Sequence, residues 1–256
     1  LEGQVTAVAE DRFSMAIFNK FNYTDVRALL VDFSDILVME FHGLDLKLET
    51  ELVRQRDHLK HVATKLYQND GQLAGVFQNA LANNRLISVV PKGPEDQFFV
   101  GRVKAVNDRV VVLSLKDMAG QFGGYILLTL PSIQNVATAS DYLQTISFYE
   151  KWDQTHHFSQ QPVLNADREF DPNDDLIQTI ISEAAGFERV VRIKVADSDE
   201  HFLGYPENVG ETDFDLNLVG PDDGETAQIR YGQIREIAFG HIFAYLQEAQ
   251  LKNAGR

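Results

Sequence analysis

Apolar residues recur every three or four positions in two segments of the chain, a spacing that predicts amphipathic helices. The first set comprises Leu73, Val76, Phe77, Ala80 and Leu81, and the second comprises Leu176, Ile177, Ile180, Ile181 and Ala184. The acidic run at residues 171–175 (DPNDD) precedes the second helix, and Gly186 fits its end. A proline and acidic residues at this position are typical of a helix start.

Short runs rich in β-branched residues follow each helix and predict antiparallel strands. After the first helix they are residues 86–90, 97–106, 109–115, 124–130 and 133–136, and after the second they include 190–195, 227–231 and 234–237. Asn107 and Asp108 form a short turn between two of these strands. A further helix is expected to close each unit, at residues 141–152 and 242–252.

The two units are copies of one another. Residues 71–115 align without a gap to residues 174–218, so that Leu73, Phe99 and Gly101 meet Leu176, Phe202 and Gly204. A third, shorter copy is expected at the front, where residues 27–41 resemble residues 100–115. In that alignment Phe33 takes the place of Val106, residues 58–68 form the closing helix, and no opening helix is visible.

These patterns predict a mainly β protein with flanking helices, of the α+β class. Five short antiparallel strands, with Gly101 or Gly204 allowing a sharp bend in the second strand, favour small closed barrels with capping helices. The expected units are residues 1–70, a diverged copy without the opening helix, then 71–152 and 173–256. The polar residues 153–172 are interpreted as a linker.

The second and third units resemble the Sm-like (LSm-type) barrels, whose first motif is G-x-[LV]-x-x-[FV]-D followed by M-N-x-x-[LV]. The matching residues are Gly101, Val103, Val106, Asn107, Val110 and Val111 in the second unit, and Gly204, Pro206, Val209, Gly210, Asp213 and Phe214 in the third. The resemblance implies two or three tandem, diverged five-stranded barrels. Another small five-stranded barrel is the alternative.

The resemblance also implies a uracil pocket, made in that family by an Asp and an Asn with an Arg-Gly from a second motif. This chain departs from the pattern, because the Asp is replaced by Asn107 or Gly210 and the Asn by Val111 or Phe214. The second motif reads Ile234-Arg235-Glu236 in one unit and Ile133-Gln134-Asn135 in the other. A base edge needs hydrogen-bonding partners, so the usual ligand of the family is not expected.

The chain carries 23 basic and 38 acidic residues, a net charge of −15, and this charge is uneven. Residues 153–256 hold 20 acidic and 8 basic residues, whereas residues 71–152 hold 6 and 7. Such a surface repels nucleic acid and anionic lipid, so we expect neither DNA nor a membrane as partner. The chain has no cysteine, which excludes thiol catalysis and Cys-ligated zinc. A cytoplasmic location is the default expectation.

No motif in the sequence indicates catalysis, a metal site or a cofactor. His58 and His61 lie one helical turn apart but lack the H-E-x-x-H pattern, and the acidic run at 167–175 lacks the spacing of a calcium loop. The adjacent His156 and His157 and the turn at 222–224 are likewise interpreted as non-ligating. Gly120–Gly124 has no following Lys-Ser/Thr and is interpreted as a loop.

One positive patch stands out in the second unit. Arg102, Lys104 and Arg109 flank one hairpin, with Phe98 and Phe99 nearby, and a basic patch beside aromatic rings is how single-stranded nucleic acid is bound. The first unit instead clusters Phe13, Phe18, Phe21, Phe33 and Phe41, which we expect to pack on the second unit or on another chain.

The function expected from the sequence is a non-catalytic protein-interaction or scaffold module that binds a protein partner or itself. The alternative is an RNA-binding or RNA-regulatory protein that acts through Arg102, Lys104, Arg109 and Phe98 of the middle unit, although the acidic charge disfavours RNA.

Overall fold

The structure is a computed structural model that describes residues 2–18, 26–93, 97–156, 165–196, 198, 200–220 and 224–253. Its elements in chain order are β1 (Gln4–Val8), β2 (Arg12–Phe18), β3 (Val26–Asp32), α1 (Leu44–Arg54), β4 (Lys65–Gln68), α2 (Leu73–Ala82), β5 (Leu86–Pro91), β6 (Phe99–Val106), β7 (Val110–Lys116), β8 (Phe122–Thr129), β9 (Ile133–Ala139), α3 (Asp141–His156), α4 (Leu176–Gly186), β10 (Val191–Val195), β11 (His201–Glu207), β12 (Asp213–Leu218), β13 (Thr226–Arg230), β14 (Ile234–Phe239) and α5 (Ile242–Asn253). No helix within these ranges is long and apolar enough to cross a bilayer.

Two complete units share one element order, which confirms the expected α+β class. The middle unit (residues 73–156) runs from α2 through β5–β9 to α3, and the C-terminal unit (residues 176–253) runs from α4 through β10–β14 to α5. Both sheets have the same antiparallel order, β9-β5-β6-β7-β8 and β14-β10-β11-β12-β13. All five predicted positions are buried in α4, and Leu73, Phe77 and Ala80 are buried in α2. The predicted face of α2 is confirmed only in part, because Val76 is half-buried and Leu81 is exposed.

The expected closed barrels do not form among the described residues. Both outer strands of the middle unit pair outward instead of with each other, β8 with β14 and β9 with β4. The result is a single sheet of eleven strands that runs from β13 to β4 through both units. The predicted close approach at the second strand is present, because a Cβ at Gly101 or Gly204 would collide with the carbonyl of Ser114 or Asn217.

The two units meet at the β8–β14 pairing, where Tyr125 lies opposite Phe239 and Leu127 opposite Ile237. Side chains on a strand alternate between its two faces. Tyr125 and Leu127 therefore pack in the core of the C-terminal unit, while Ile126 and Leu128 pack in the core of the middle unit. Because β8 contributes side chains to both hydrophobic cores, the two units are packed together as one body.

The sequence interpretation of the N-terminal residues was wrong in two respects. Residues 27–41 do not form a hairpin, because β3 ends at Asp32 and a 3-10 turn follows at Phe33–Asp35, after which residues 36–41 lie in no strand. Residues 58–68 are not the closing helix, which is α1; β4 occupies the end of that segment and pairs with β9 of the middle unit. In segments this short, the pattern of apolar side chains is compatible with several alignments to the other units. Only the strand pairing in the structure distinguishes these alignments.

The described residues between the two complete units include the end of α3 and the turn before α4. Helix α3 continues to His156, so the predicted linker at 153–172 begins as helix. The predicted helix start at 171–175 is confirmed, since the Asp175 side chain accepts a hydrogen bond from the Gln178 N–H. Phe21, His157, Asp222 and Asp223 lie outside the described residues.

His241 sits at the turn between β14 and α5, pressed against the backbone of Gly124 on β8. Its Nδ1 accepts a hydrogen bond from the Ala244 N–H, and its Nε2 is buried with no partner among the described residues. Burial, with the nearby charge of Arg192, lowers the pKa of His241 to about 4. The imidazole is therefore neutral in the folded state at neutral pH.

We expect acid to destabilise the fold through His241. The unfolded chain takes up a proton near pH 6.5 and the folded chain only near pH 4, so stability falls as pH drops between these values. Between pH 7 and pH 5 the wild type should lose about 1–2 kcal/mol that His241→Asn does not lose. Urea unfolding of both proteins at the two pH values measures this difference, and parallel losses would contradict it.

Candidate functional site

An open cavity of about 570 Å³ lies where the two complete units meet. The middle unit contributes the β6–β7 turn, the end of β5 and the 3-10 turn before β9, and the C-terminal unit contributes the turn before β14. The lining residues are Lys92, Gly93, Asp108, Arg109, Val110, Thr129, Pro131, Ser132, Ile177, Ala196, Tyr231, Gly232, Gln233, Ile234 and Arg235. The cavity therefore exists only because β8 pairs with β14.

Three cationic side chains line this cavity in an acidic protein. Arg109 is exposed and forms an ion pair with Asp175 at 3.3 Å. The side chains of Lys92 and Arg235 have no hydrogen bond or ion pair with any of the described residues. Asp108 also lines the cavity and offsets part of the charge. A smaller pocket beside it is lined by Lys92, Lys194, Arg235 and Glu236.

The structure separates the residues of the predicted nucleic-acid patch. Arg102 binds both carboxylate oxygens of Glu150 on α3 and donates to the Asn84 carbonyl, while Arg109 lies at the other end of β6, beside α4. Lys104 is half-buried at a bulge in β6. Phe98 is half-exposed and contacts Tyr142 edge to face at 5.5 Å. Of the four predicted residues, only Arg109 lines the cavity.

Arg102 has a structural role, because it binds the buried carboxylate of Glu150. Glu150 is buried and also receives Lys116 at 2.9 Å. Burial tends to raise the pKa of Glu150, but its hydrogen bonds to Arg102 and Lys116 outweigh that effect and lower the pKa. A buried carboxylate held by two cations connects α3 to β6 and β7, and the Nε, Nη1 and Nη2 atoms of Arg102 all donate hydrogen bonds within the fold.

The positions that read a uracil base in the resembling family are buried here. Val111 lies in the core of the middle unit and Phe214 in the core of the C-terminal unit, both inaccessible to solvent. Arg235, from the second motif, does reach the cavity. The cavity therefore has cationic side chains, but Val111 and Phe214 supply no hydrogen-bonding group that could recognise the edge of a base.

No cluster of three or more His, Asp or Glu side chains suited to a metal occurs in the ranges that the structure describes. His61 is instead bound to Asp141, with Nδ1 2.7 Å from Oδ2, and the other oxygen of that carboxylate accepts from the Val62 N–H. In the acidic run at 167–175, Asp171 and Asp175 accept hydrogen bonds from nearby backbone N–H groups.

A second candidate surface is the exposed apolar face of the N-terminal unit (residues 2–54). Phe13 is buried and contacts Phe33 at 5.6 Å, and neither residue belongs to the apolar clusters of the middle unit, so of the two expected partners only another chain is left. Large apolar side chains between β1 and α1 are exposed at Val5, Val8, Leu29, Leu30, Phe33, Leu37, Val38, Met39 and Phe41. The sequence signalled this surface through its clustered Phe residues, whereas nothing marked Lys92 as a cavity residue.

No family model, curated protein or solved structure matches this chain.

Replacing Arg102 should affect stability. We expect Arg102→Ala to leave Glu150 buried with only Lys116 and to lower the free energy of unfolding by about 1–3 kcal/mol. The matched control Arg109→Ala removes an exposed ion pair and should cost less than about 1 kcal/mol. Urea unfolding at pH 7 measures both, and equal losses would show that the Glu150 pair is not structural.

Proposed function

We propose that the protein is a non-catalytic protein-interaction scaffold built from tandem, diverged Sm-like units. The observation that carries the proposal is the exposed apolar segment 36–41, in which Leu37 and Val38 are 97% and 87% exposed. Large contiguous apolar patches are rare on monomeric proteins and mark interaction surfaces.

The rest of the chain is suited to present that surface. Helix α1 buries Leu48 and Leu52 in a cluster with Leu143 and Ile146 of α3, which anchors the end of the N-terminal unit on the middle unit. The middle and C-terminal units form the eleven-stranded sheet. The exposed segment 36–41 is thus connected directly to a rigid body.

The assignment of the two complete units to the Sm-like type rests on the order of helices and strands that they share. Each complete unit opens with a helix, continues through five antiparallel strands and has a glycine in close contact with the neighbouring strand. Val103 and Val106 of the motif are buried, as positions that define a fold should be.

Charge sets how such a scaffold associates. Two copies with a net charge of −15 repel each other, and this repulsion is screened by salt. Self-association through the apolar segment should therefore strengthen as ionic strength rises.

Removing the exposed apolar side chains should abolish association without unfolding the chain. We expect Leu37→Ser/Val38→Ser/Phe41→Ser to keep the wild-type melting temperature and to lose self-association or partner binding by at least tenfold. Met118→Ser/Phe187→Ser/Phe243→Ser is the matched control, since these residues are exposed to a similar degree elsewhere.

Sedimentation velocity over a range of concentrations, with cross-linking of bound proteins, compares the three chains. An association that is lost only in the 37/38/41 variant supports the proposal. A wild type that stays monomeric and cross-links to the same proteins as both variants would reject it.

A second candidate function is supported by the cavity between the units. Lys92, Arg109 and Arg235 provide three cations in one recess, and cations that neutralise phosphates are the main source of affinity for nucleic acid. This arrangement favours single-stranded RNA as the ligand, held by its phosphates.

The RNA function predicts salt-dependent binding that needs the cavity. In fluorescence anisotropy with labelled oligo-U and mixed-sequence RNA, the wild type should bind at 50 mM salt and weaken at 200 mM. Lys92→Ala/Arg109→Ala/Arg235→Ala should weaken binding at least tenfold, whereas Arg54→Ala/Arg56→Ala/Lys60→Ala, which removes equal charge outside the cavity, should not. Absence of binding at low salt would exclude this function.

A further inference from the structure

The smaller pocket beside the cavity has a buried cation in its wall. Lys194 of β10 is only 8% exposed, and it lines this pocket together with Lys92 and Arg235. Among the described residues, none forms a hydrogen bond or an ion pair with the Lys194 side chain. A buried charge without a partner is unfavourable, so a ligand group of opposite charge would be stabilised beside Lys194.

The fold does not require a cation at this position. Strand β10 shifts its register against β14 directly after Lys194, and β5 shifts its register against β9 directly after Val90. Lys194 and Val90 therefore occupy the same place in the two complete units. Because the middle unit forms the same bulge with an apolar residue, the lysine is not needed to form it.

The acidic residue in the wall of the pocket is already paired. Glu236 lies opposite Lys194 in the β10–β14 pairing, but its carboxylate is bound to Arg192 at 3.0 Å. The charge of Glu236 is therefore offset by Arg192. The charges of Lys92, Lys194 and Arg235 then leave this pocket positive.

The pocket lies against the larger cavity and shares part of its wall. Lys92, Gly93, Ser132 and Arg235 line both. The larger cavity, of about 570 Å³, has the size of a small-molecule site, and its wall includes the apolar side chains of Pro131, Ile177 and Tyr231. The smaller pocket has a volume of about 20 Å³, which suits one group of the size of a water molecule.

We propose that this recess binds a small phosphorylated molecule. Its phosphate monoester lies between Lys92 and Arg235, one phosphate oxygen enters the smaller pocket beside Lys194, and the rest of the molecule occupies the larger cavity. This inference goes beyond the scaffold function and does not depend on it.

The charge of the recess favours a monoester over the backbone of RNA. A phosphate monoester carries a charge of about −1.5 to −2 at pH 7 and three acceptor oxygens, which suits three cations. A phosphate within an RNA chain carries one negative charge and is bonded to a nucleotide on each side, so it is less suited to reach a buried side chain such as Lys194.

Isothermal titration calorimetry on the full chain, at one fixed ionic strength, compares three probes. They are uridine 5′-monophosphate, uridine and inorganic phosphate. We expect uridine 5′-monophosphate to bind with a Kd below about 1 mM, inorganic phosphate to compete with it, and uridine not to bind.

Three variants locate the phosphate. Lys194→Val introduces the residue type that the middle unit has at this place, so we expect it to keep the wild-type melting temperature and to weaken binding of uridine 5′-monophosphate at least tenfold. Arg235→Ala, at a half-buried position, should weaken binding to a similar degree. The control Lys60→Val removes the same charge from an exposed position outside both pockets and should change binding less than twofold.

Absence of saturable binding by both phosphate-containing probes, equal binding of uridine, or binding that survives Lys194→Val would overturn the proposal. An oligo-U with a 5′-hydroxyl end, which has no monoester, distinguishes the two sources of phosphate. If it binds more tightly than uridine 5′-monophosphate and loses binding in Lys194→Val, the site belongs to RNA and the small-molecule proposal is rejected. If it binds no more tightly, the proposal is supported.

Discussion

The antiparallel pairing of β8 with β14 is the interaction on which the structure depends. Four residue pairs join the two complete units, and β8 sends Tyr125 and Leu127 into one core and Ile126 and Leu128 into the other. Ala238 of β14 reaches back into the middle core. Burying a large apolar side chain contributes about 1.5–3 kcal/mol, so these residues stabilise both units at once. The cavity with Arg109 and Arg235 is a consequence of the same pairing.

The three units differ mainly in what lies against their outer strands. β13, the counterpart of β8 in the C-terminal unit, has Thr226 and Gln228 where β8 has Tyr125 and Leu127. Polar side chains on an outer strand discourage further pairing, which explains why the sheet ends there. The N-terminal unit is the opposite case, because β3 and the segment 36–41 present Leu30 and Val38 to solvent. Among the described residues, nine of the seventeen exposed large apolar side chains lie between Val5 and Phe41.

This asymmetry favours interaction with a protein over other roles. The acidic C-terminal unit repels polyanions. The charge of the three cations of the cavity is partly offset by Asp108, which also lines the cavity, and by Asp175, which pairs with Arg109. The segment 36–41 carries Glu40 as its only ionisable residue and five apolar side chains. The N-terminal unit therefore exposes apolar surface that a partner could bury, and the hydrophobic effect would favour that burial.

The elements that have a long periodic pattern follow from the amino-acid sequence alone. The faces of α2 and α4, the Asn107-Asp108 turn, the alignment of Gly101 with Gly204 and the helix start at Asp175 all follow from local chemistry and repetition. The pairing of strand edges, by contrast, is set by tertiary packing. Which edges meet depends on how the two units pack together, so the β8–β14 junction, the open sheet in place of barrels and the cavity with Lys92 were not predicted from the sequence. The pairing of Arg102 with Glu150 was missed for the same reason, because Glu150 is 48 residues away in the chain and is brought to Arg102 by packing.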